Sequence, residues 1–256
     1  PLGNGDEEAF QQMLEECGFH LMDVTPCADG RAAHVIRYIL RLPTRAVRRR
    51  SFAGAMFDIE DSLSKWTRTE LVRFREGVPN TADAPTRYLK TVVYHFSSLD
   101  PAHQGCAAHG SDDSAAIAGG IAKLKGFQQA VQNTHCCGAS IDTLLIGMDT
   151  DTDAIRIHMP GASGDIDPDN YVDSKEVFDS TVHMSAVQAE QWIVDHILQK
   201  GGAALDNGKM ADGMATFMAY LLKNNLSQVD YVRTYHNGHY SDVGHAERFI
   251  GAGIGL

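Results

Sequence analysis

Five residues, Cys27-Ala28-Asp29-Gly30-Arg31, constrain the fold of this chain more than any others, because of where the apolar pattern places them. The run before them, Phe19 to Pro26, reads as a short strand. The run after them is apolar at Ala32, Val35, Ile36, Ile39 and Leu40, which predicts a helix over 31–41. A thiol, a carboxylate and a guanidinium therefore alternate along a strand-to-helix turn, where open α/β sheets place their chemistry. A thiolate can hold zinc, and a carboxylate two residues on can gate it. An arginine two further on can keep that carboxylate ionised and fixed through two parallel hydrogen bonds.

Strands alternating with helices extend this unit into an α/β fold, a central mostly parallel sheet flanked by helices. Residues 6–17 read as a short acidic helix, 43–51 as a loop or short strand, and 58–76 as a helix. A surface loop over 77–85 carries Pro79, Asn80 and Pro85. A strand at 88–95 follows, and Asp112-Asp113 caps a helix running to about Asn133. Residues 142–148 read as a central strand that 154–159 continues or pairs beside. Helices near 173–200 and 209–224 and a strand at 229–235 complete the pattern.

At 256 residues the chain can bury a full core, as one large domain or two small ones. Asp plus Glu number 33 against 22 Lys plus Arg, and the net charge of −11 argues against general nucleic-acid binding, which needs a basic face. No apolar run approaches the ~18 residues of a membrane span. Five cysteines, without disulfide-framework spacing, suit a cytoplasmic protein with free thiols.

Further metal ligands are at hand. His95 ends the strand-like run Tyr88 to Tyr94, and Cys106 follows in a polar, glycine-containing loop. Two cysteines and one histidine leave a fourth position open, the catalytic type of zinc site. Cys106-Ala-Ala-His109 also permits His109 as the ligand, and His103 lies in the same loop.

Cys-x-Asp-x-Arg followed far downstream by a histidine and a cysteine resembles the β-class carbonic anhydrase pattern. The longer blocks are similar to its divergent carboxysomal shell branch: His95 through Asp113 with its His-x10-Cys spacing, Arg48-Arg49-Arg50, Cys136-Cys137-Gly138, Asp149-Thr-Asp-Thr-Asp153 and Gly244-His-Ala-Glu-Arg-Phe-Ile250. The resemblance runs from about Cys27 to the last residue. It implies a β-carbonic-anhydrase-like fold and Zn2+ held by Cys27, His95 and Cys106. It also implies reversible hydration of CO2 to bicarbonate inside the carboxysome, supplying CO2 to rubisco. Asp29 would orient the attacking water, Arg31 would hold Asp29, and His245 would carry protons, unless His245 is structural. Rubisco or shell proteins as partners, a sugar-phosphate effector and a homo-oligomer are further implications. A catalytically silent, zinc-stabilised scaffold is the alternative. Residues 1–5 read as a tag remnant and 6–256 as one catalytic domain, with the family's N-terminal helical and C-terminal degenerate domains expected to be absent.

Other motifs have plainer readings. Cys17, Cys136 and Cys137 are expected as buried thiols. His135-Cys136 lacks the arginine of a phosphatase loop, since Asp142 stands there. Asp149, Asp151 and Asp153 mimic a calcium loop, but Ala154 and Pro160 occupy its glycine and glutamate places, so a solvated turn is expected. Arg48-Arg49-Arg50 reads either as a solvated or salt-bridged edge or as a face for an anion or acidic partner. His236 and His239 lie near His245 in sequence and can share its role.

Overall fold

The computed structural model describes residues 4–78, 80–81, 86–134, 140–206 and 213–240. Its six strands are β1 (Leu21–Pro26), β2 (Arg48–Arg49), β3 (Arg87–Phe96), β4 (Ser140–Asp149), β5 (Ile155–Pro160) and β6 (Ile166–Asp173). They form one sheet in the order β2-β1-β3-β4-β5-β6. The first four are mutually parallel, and β5 and β6 add antiparallel to that edge. β1 and β3 are buried along nearly their whole length, as parallel strands covered on both faces must be.

The helices are α1 (Asn4–Glu16), α2 (Ile59–Arg75), the short α3 (Pro101–Gln104), α4 (Asp113–Thr134), α5 (Ser174–Thr181), α6 (Ala186–Asp206) and α7 (Met214–Tyr235). α4 packs on β3 and β4 with α2 against it, while α5, α6 and α7 pack together and onto β5. Phe127 of α4 meets Tyr88 of β3 edge-on, and Phe217 of α7 meets Phe19 ahead of β1. The expected mostly parallel α/β sheet is therefore present.

Connectivity places the site. From β1 the chain moves outward to β2, then crosses back to β3 on the other side of β1. Such a reversal opens a crevice at the carboxyl ends of the two strands. Cys27 directly follows β1, and His95 is the penultimate residue of β3. Register brings them together, because Pro26 lies opposite Val93 and Cys27 N donates to Val93 O.

Three expectations are corrected. The segment 31–41 is not a regular α-helix: a 3-10 turn at Gly30–Ala32 leads into a π-helical turn at Val35–Ile39. Its apolar residues are buried as the spacing demanded, but Asn224 and Asn225 of α7 donate to Leu40 O and Ile39 O, the carbonyls a continuing helix would use. Residues 229–235 are helical. Leu222, Asn225, Val229 and Val232 bury one face of α7, and this 3.6-residue period overrides the strand preference of the valines and tyrosines. The helix expected over 173–200 is two, separated near Ser185, whose side chain exchanges hydrogen bonds with Gln188 in a capping box.

Candidate metal centre

The turn after β1 is built by Asp29. Its carboxylate accepts from Arg31 N at 2.8 Å, which closes the 3-10 turn and points the Arg31 side chain back. Arg31 then grips the same carboxylate, Nε to Oδ1 at 3.0 Å and Nη2 to Oδ2 at 3.1 Å, a bidentate fork. Its remaining nitrogen, Nη1, donates to Gln104 O at 2.8 Å, so Arg31 also ties this turn to the loop carrying Cys106.

Cys27, His95 and Cys106 are 4 %, 1 % and 2 % exposed, and their ligand atoms all lie within 4.8 Å of one another. The two sulfurs are 3.8 Å apart. Two thiolates about 2.3 Å from one tetrahedral zinc ion stand about 3.8 Å from each other, so the pair is already spaced for the metal. His95 Nε2 faces Arg31 Nη2 at 3.3 Å and Asp29 Oδ2 at 3.6 Å, while His95 Nδ1 is buried with no hydrogen-bond partner. Two sulfurs and one imidazole form a donor set that suits zinc.

Electrostatics agree. The hydrogen bond from Cys106 lowers the Cys27 thiol to about 4 against the opposing effect of burial, with His95 assisting. Cys106 is pushed up by the same shared proton and by burial. The two thiols thus interact across 3.8 Å, a spacing that a bound cation would bridge. Burial raises Asp29, but the Arg31 hydrogen bonds outweigh it and hold the carboxyl below its usual value.

The remaining sequence candidates fall elsewhere. His103 is exposed and bonded to Asp100. His109 Nε2 reaches Gly54 O at 3.0 Å and braces the turn beside Cys27; a Cβ at Gly54 would stand 2.5 Å from that nitrogen. His236 is half-buried against Tyr240, and His239 is exposed. Cys17 is buried as expected, whereas His245, Cys136 and Cys137 lie outside the described residues. Arg48 and Arg49 form the exposed edge strand β2, and Arg50 pairs with Asp61 at 2.6 Å.

The turn Asp149 to Asp153 is not solvated. Asp149, Asp151 and Asp153 are all buried, because each carboxylate is met by donors. Asp149 takes Ser98 Oγ at 2.7 Å, Thr152 Oγ1 at 2.7 Å and Lys175 Nζ at 2.9 Å. Asp153 takes Gln228 Nε2 at 2.9 Å. Sequence reasoning also missed the Gln104 carbonyl, since nothing in a glutamine marks its backbone as an arginine anchor.

An α/β sheet carries at its switch point a buried Cys-His-Cys group that could hold a metal ion, with an Asp–Arg fork beside it. The family model described as Carboxysome Shell Carbonic Anhydrase, catalytic domain, matches residues 9–245, and the chain belongs to that family. It is 54% identical over 256 residues to a carboxysome shell carbonic anhydrase of Prochlorococcus marinus strain MIT 9313, covering 99% of this chain and 49% of the relative. It is also 54% identical over 247 residues to that of Halothiobacillus neapolitanus, covering 94% of this chain and 48% of the relative. The chain thus spans about half the length of these relatives. Among the described residues, no helix is long and apolar enough to cross a membrane.

Proposed function

We propose that the chain binds Zn2+ through Cys27, His95 and Cys106 and catalyses the reversible hydration of CO2 to bicarbonate. The observation that carries this reading is the clustering of the Cys27, His95 and Cys106 ligand atoms within 4.8 Å of one another, with the fork-held Asp29 carboxylate 3.6 Å from His95. Bound zinc supplies Lewis acidity, lowering the pKa of water toward neutrality. Family membership and the names of the relatives point the same way.

Asp29 does the orienting. Oδ1 is taken up by two Arg31 donors, whereas among the described residues Oδ2 accepts only from Nη2 and lies 3.6 Å from His95 Nε2. Oδ2 therefore has capacity to accept a hydrogen bond from the attacking water and to turn a lone pair toward CO2. Because Arg31 favours its ionised form, Asp29 stays an acceptor and does not store the proton released in each hydration. That proton goes to buffer, and His245 is the proposed carrier. His245→Ala should slow turnover mainly at low buffer concentration, with added imidazole restoring part of the rate. A rate indifferent to both makes His245 structural.

In the setting named for the relatives, the carboxysome, the reaction would run from bicarbonate to CO2 and feed rubisco. The test is metal content and stopped-flow CO2 hydration on one sample. Stoichiometric zinc with turnover supports the enzyme. Zinc without turnover makes this chain a metal-stabilised scaffold.

A further inference from the structure

The ten residues between His95 and Cys106 form a long excursion for two ligands of one metal ion. A loop of that length places its far end poorly unless something fixes its course. In this structure the fixing group comes from another strand. Asp151, in the turn after β4, sends Oδ2 to the start of the excursion, where it accepts from Ser97 Oγ at 2.7 Å and Leu99 N at 3.0 Å. Ser97 Oγ accepts in turn from Asp100 N at 2.9 Å. Asp100 O then accepts from Gln104 N at 2.8 Å, across α3. Gln104 O is the acceptor of Arg31 Nη1, and Cys106 is two residues further on.

One hydrogen-bonded path therefore runs from Asp151 through Ser97, Asp100 and Gln104 to the Asp29–Arg31 fork. Asp151 is 4 % exposed, and its backbone is held separately, with its carbonyl accepting from Tyr240 N at 2.6 Å. Among the described residues it has no hydrogen bond to Cys27, His95, Cys106 or the fork, although its charge also acts on Arg31. We propose that Asp151 is a positioning residue for the metal centre: its carboxylate sets the course of the loop from His95 to Cys106 and, through Gln104, the orientation of Arg31. This inference rests on the metal-centre reading above.

Both loop bonds land on one oxygen, so geometry and charge can be separated. In Asp151→Asn a carbonyl oxygen can take the place of Oδ2 and keep both bonds, whereas Asp151→Ala loses both. The experiment loads each protein with Co2+, whose thiolate charge-transfer and d–d bands report ligand geometry, and follows metal release to a chelator. Asp151→Ala should shift the d–d bands and release metal about tenfold faster, the low end of what loss of outer hydrogen-bond partners costs a metal site. Asp151→Asn should return both readouts toward wild type. Ser97→Ala, a milder cut in the same path, should move them in the same direction and serves if Asp151→Ala does not fold. Asp153→Ala is the control. It disturbs the same turn but bonds Gln228 of α7, so it should leave bands and release rate unchanged.

Wild-type bands and release rate in both Asp151→Ala and Ser97→Ala would overturn the proposal alone. So would an equal effect of Asp153→Ala, which would make the turn merely structural. A wild-type protein that takes up no Co2+ or Zn2+ would overturn the metal-centre reading and this inference with it.

Discussion

In the proposed mechanism Asp29 has to stay ionised while partly buried, and it must not rotate onto a bound metal. Arg31 meets both requirements with one fork, and the two roles predict different consequences of substitution. Cys27→Ser, Cys106→Ser and His95→Ala should each lose most bound zinc in a metal assay, since a hydroxyl or a methyl is a far poorer ligand than a thiolate or an imidazole. Near-stoichiometric zinc in any one would remove that residue from the ligand set. Asp29→Asn should keep its zinc but lose about 10²-fold in CO2 hydration, as expected when a positioned hydrogen-bonding partner is lost. Arg31→Ala should also keep zinc and slow turnover, by freeing Asp29 to swing into the open position. Arg31→Lys should rescue little, because an ammonium cannot form the fork. Wild-type rates in Asp29→Asn and Arg31→Ala together would remove the pair from the mechanism.

Between β1 and β3 the sheet buries another ion pair, Lys90 with Asp23. Lys90 Nζ, on a residue 2 % exposed, donates to Asp23 Oδ1 at 2.9 Å and Thr25 Oγ1 at 3.0 Å, and stands 4.3 Å from the Phe57 ring centroid. Tyr88 Oη donates to the other Asp23 oxygen at 2.6 Å. Lys90→Ala should cost about 3–5 kcal/mol in urea unfolding, because Asp23 is left buried without its cation. A loss under about 1 kcal/mol would mean that water reaches Asp23. This pair also marks where the sequence was silent. An isolated lysine in a strand does not announce that it points inward, and its partner is 67 positions away. What the sequence did disclose was local. The apolar run before Cys27 and the spacing of Cys27, Asp29 and Arg31 placed the site at a strand end, and His95 fell at the next strand end. Elements settled by long-range contacts were misjudged. β6 was not anticipated, because Asp167, Pro168, Asp169 and Asn170 are poor strand formers that only an edge position tolerates. The same holds for the acidic turn, whose burial depends on Ser97, Ser98, Lys175 and Gln228, all remote in sequence.

For the whole molecule, those buried polar contacts make stability depend on pH in two separate windows. His158 of β5 is 1 % exposed, with Nε2 at 2.9 Å from Tyr94 Oη of β3. Burial pushes its pKa down to about 4, with Arg156 adding to the effect. In the unfolded chain a histidine titrates near 6.5, so below that pH the unfolded state takes up a proton that the folded state refuses. Stability is therefore fully present above about 6.5 and is lost as pH falls toward 4. Asp149 acts lower down. Burial raises it, but Lys175, Thr152 and Ser98 outweigh burial and hold its carboxyl below the ordinary value. Its contribution is present above about 3.9 and disappears only as pH falls through that depressed value, when the turn fastened to Ser97 and Ser98 lets go. The upper window can be isolated with His158→Gln, which keeps a polar partner for Tyr94 Oη and cannot titrate. Unfolding free energies are compared at pH 7 and pH 4.5 in chelator, so that proton competition with metal at Cys27, His95 and Cys106 does not contribute. Wild type should lose about 2–3 kcal/mol more than the variant over that interval, in proportion to the separation of the two pKa values. His20 and His196 are also lowered by burial, but both remain in the variant and cancel in the difference. Equal losses in the two proteins would show that His158 takes up its proton while folded, and that the packing of β5 against β3 opens before the domain unfolds.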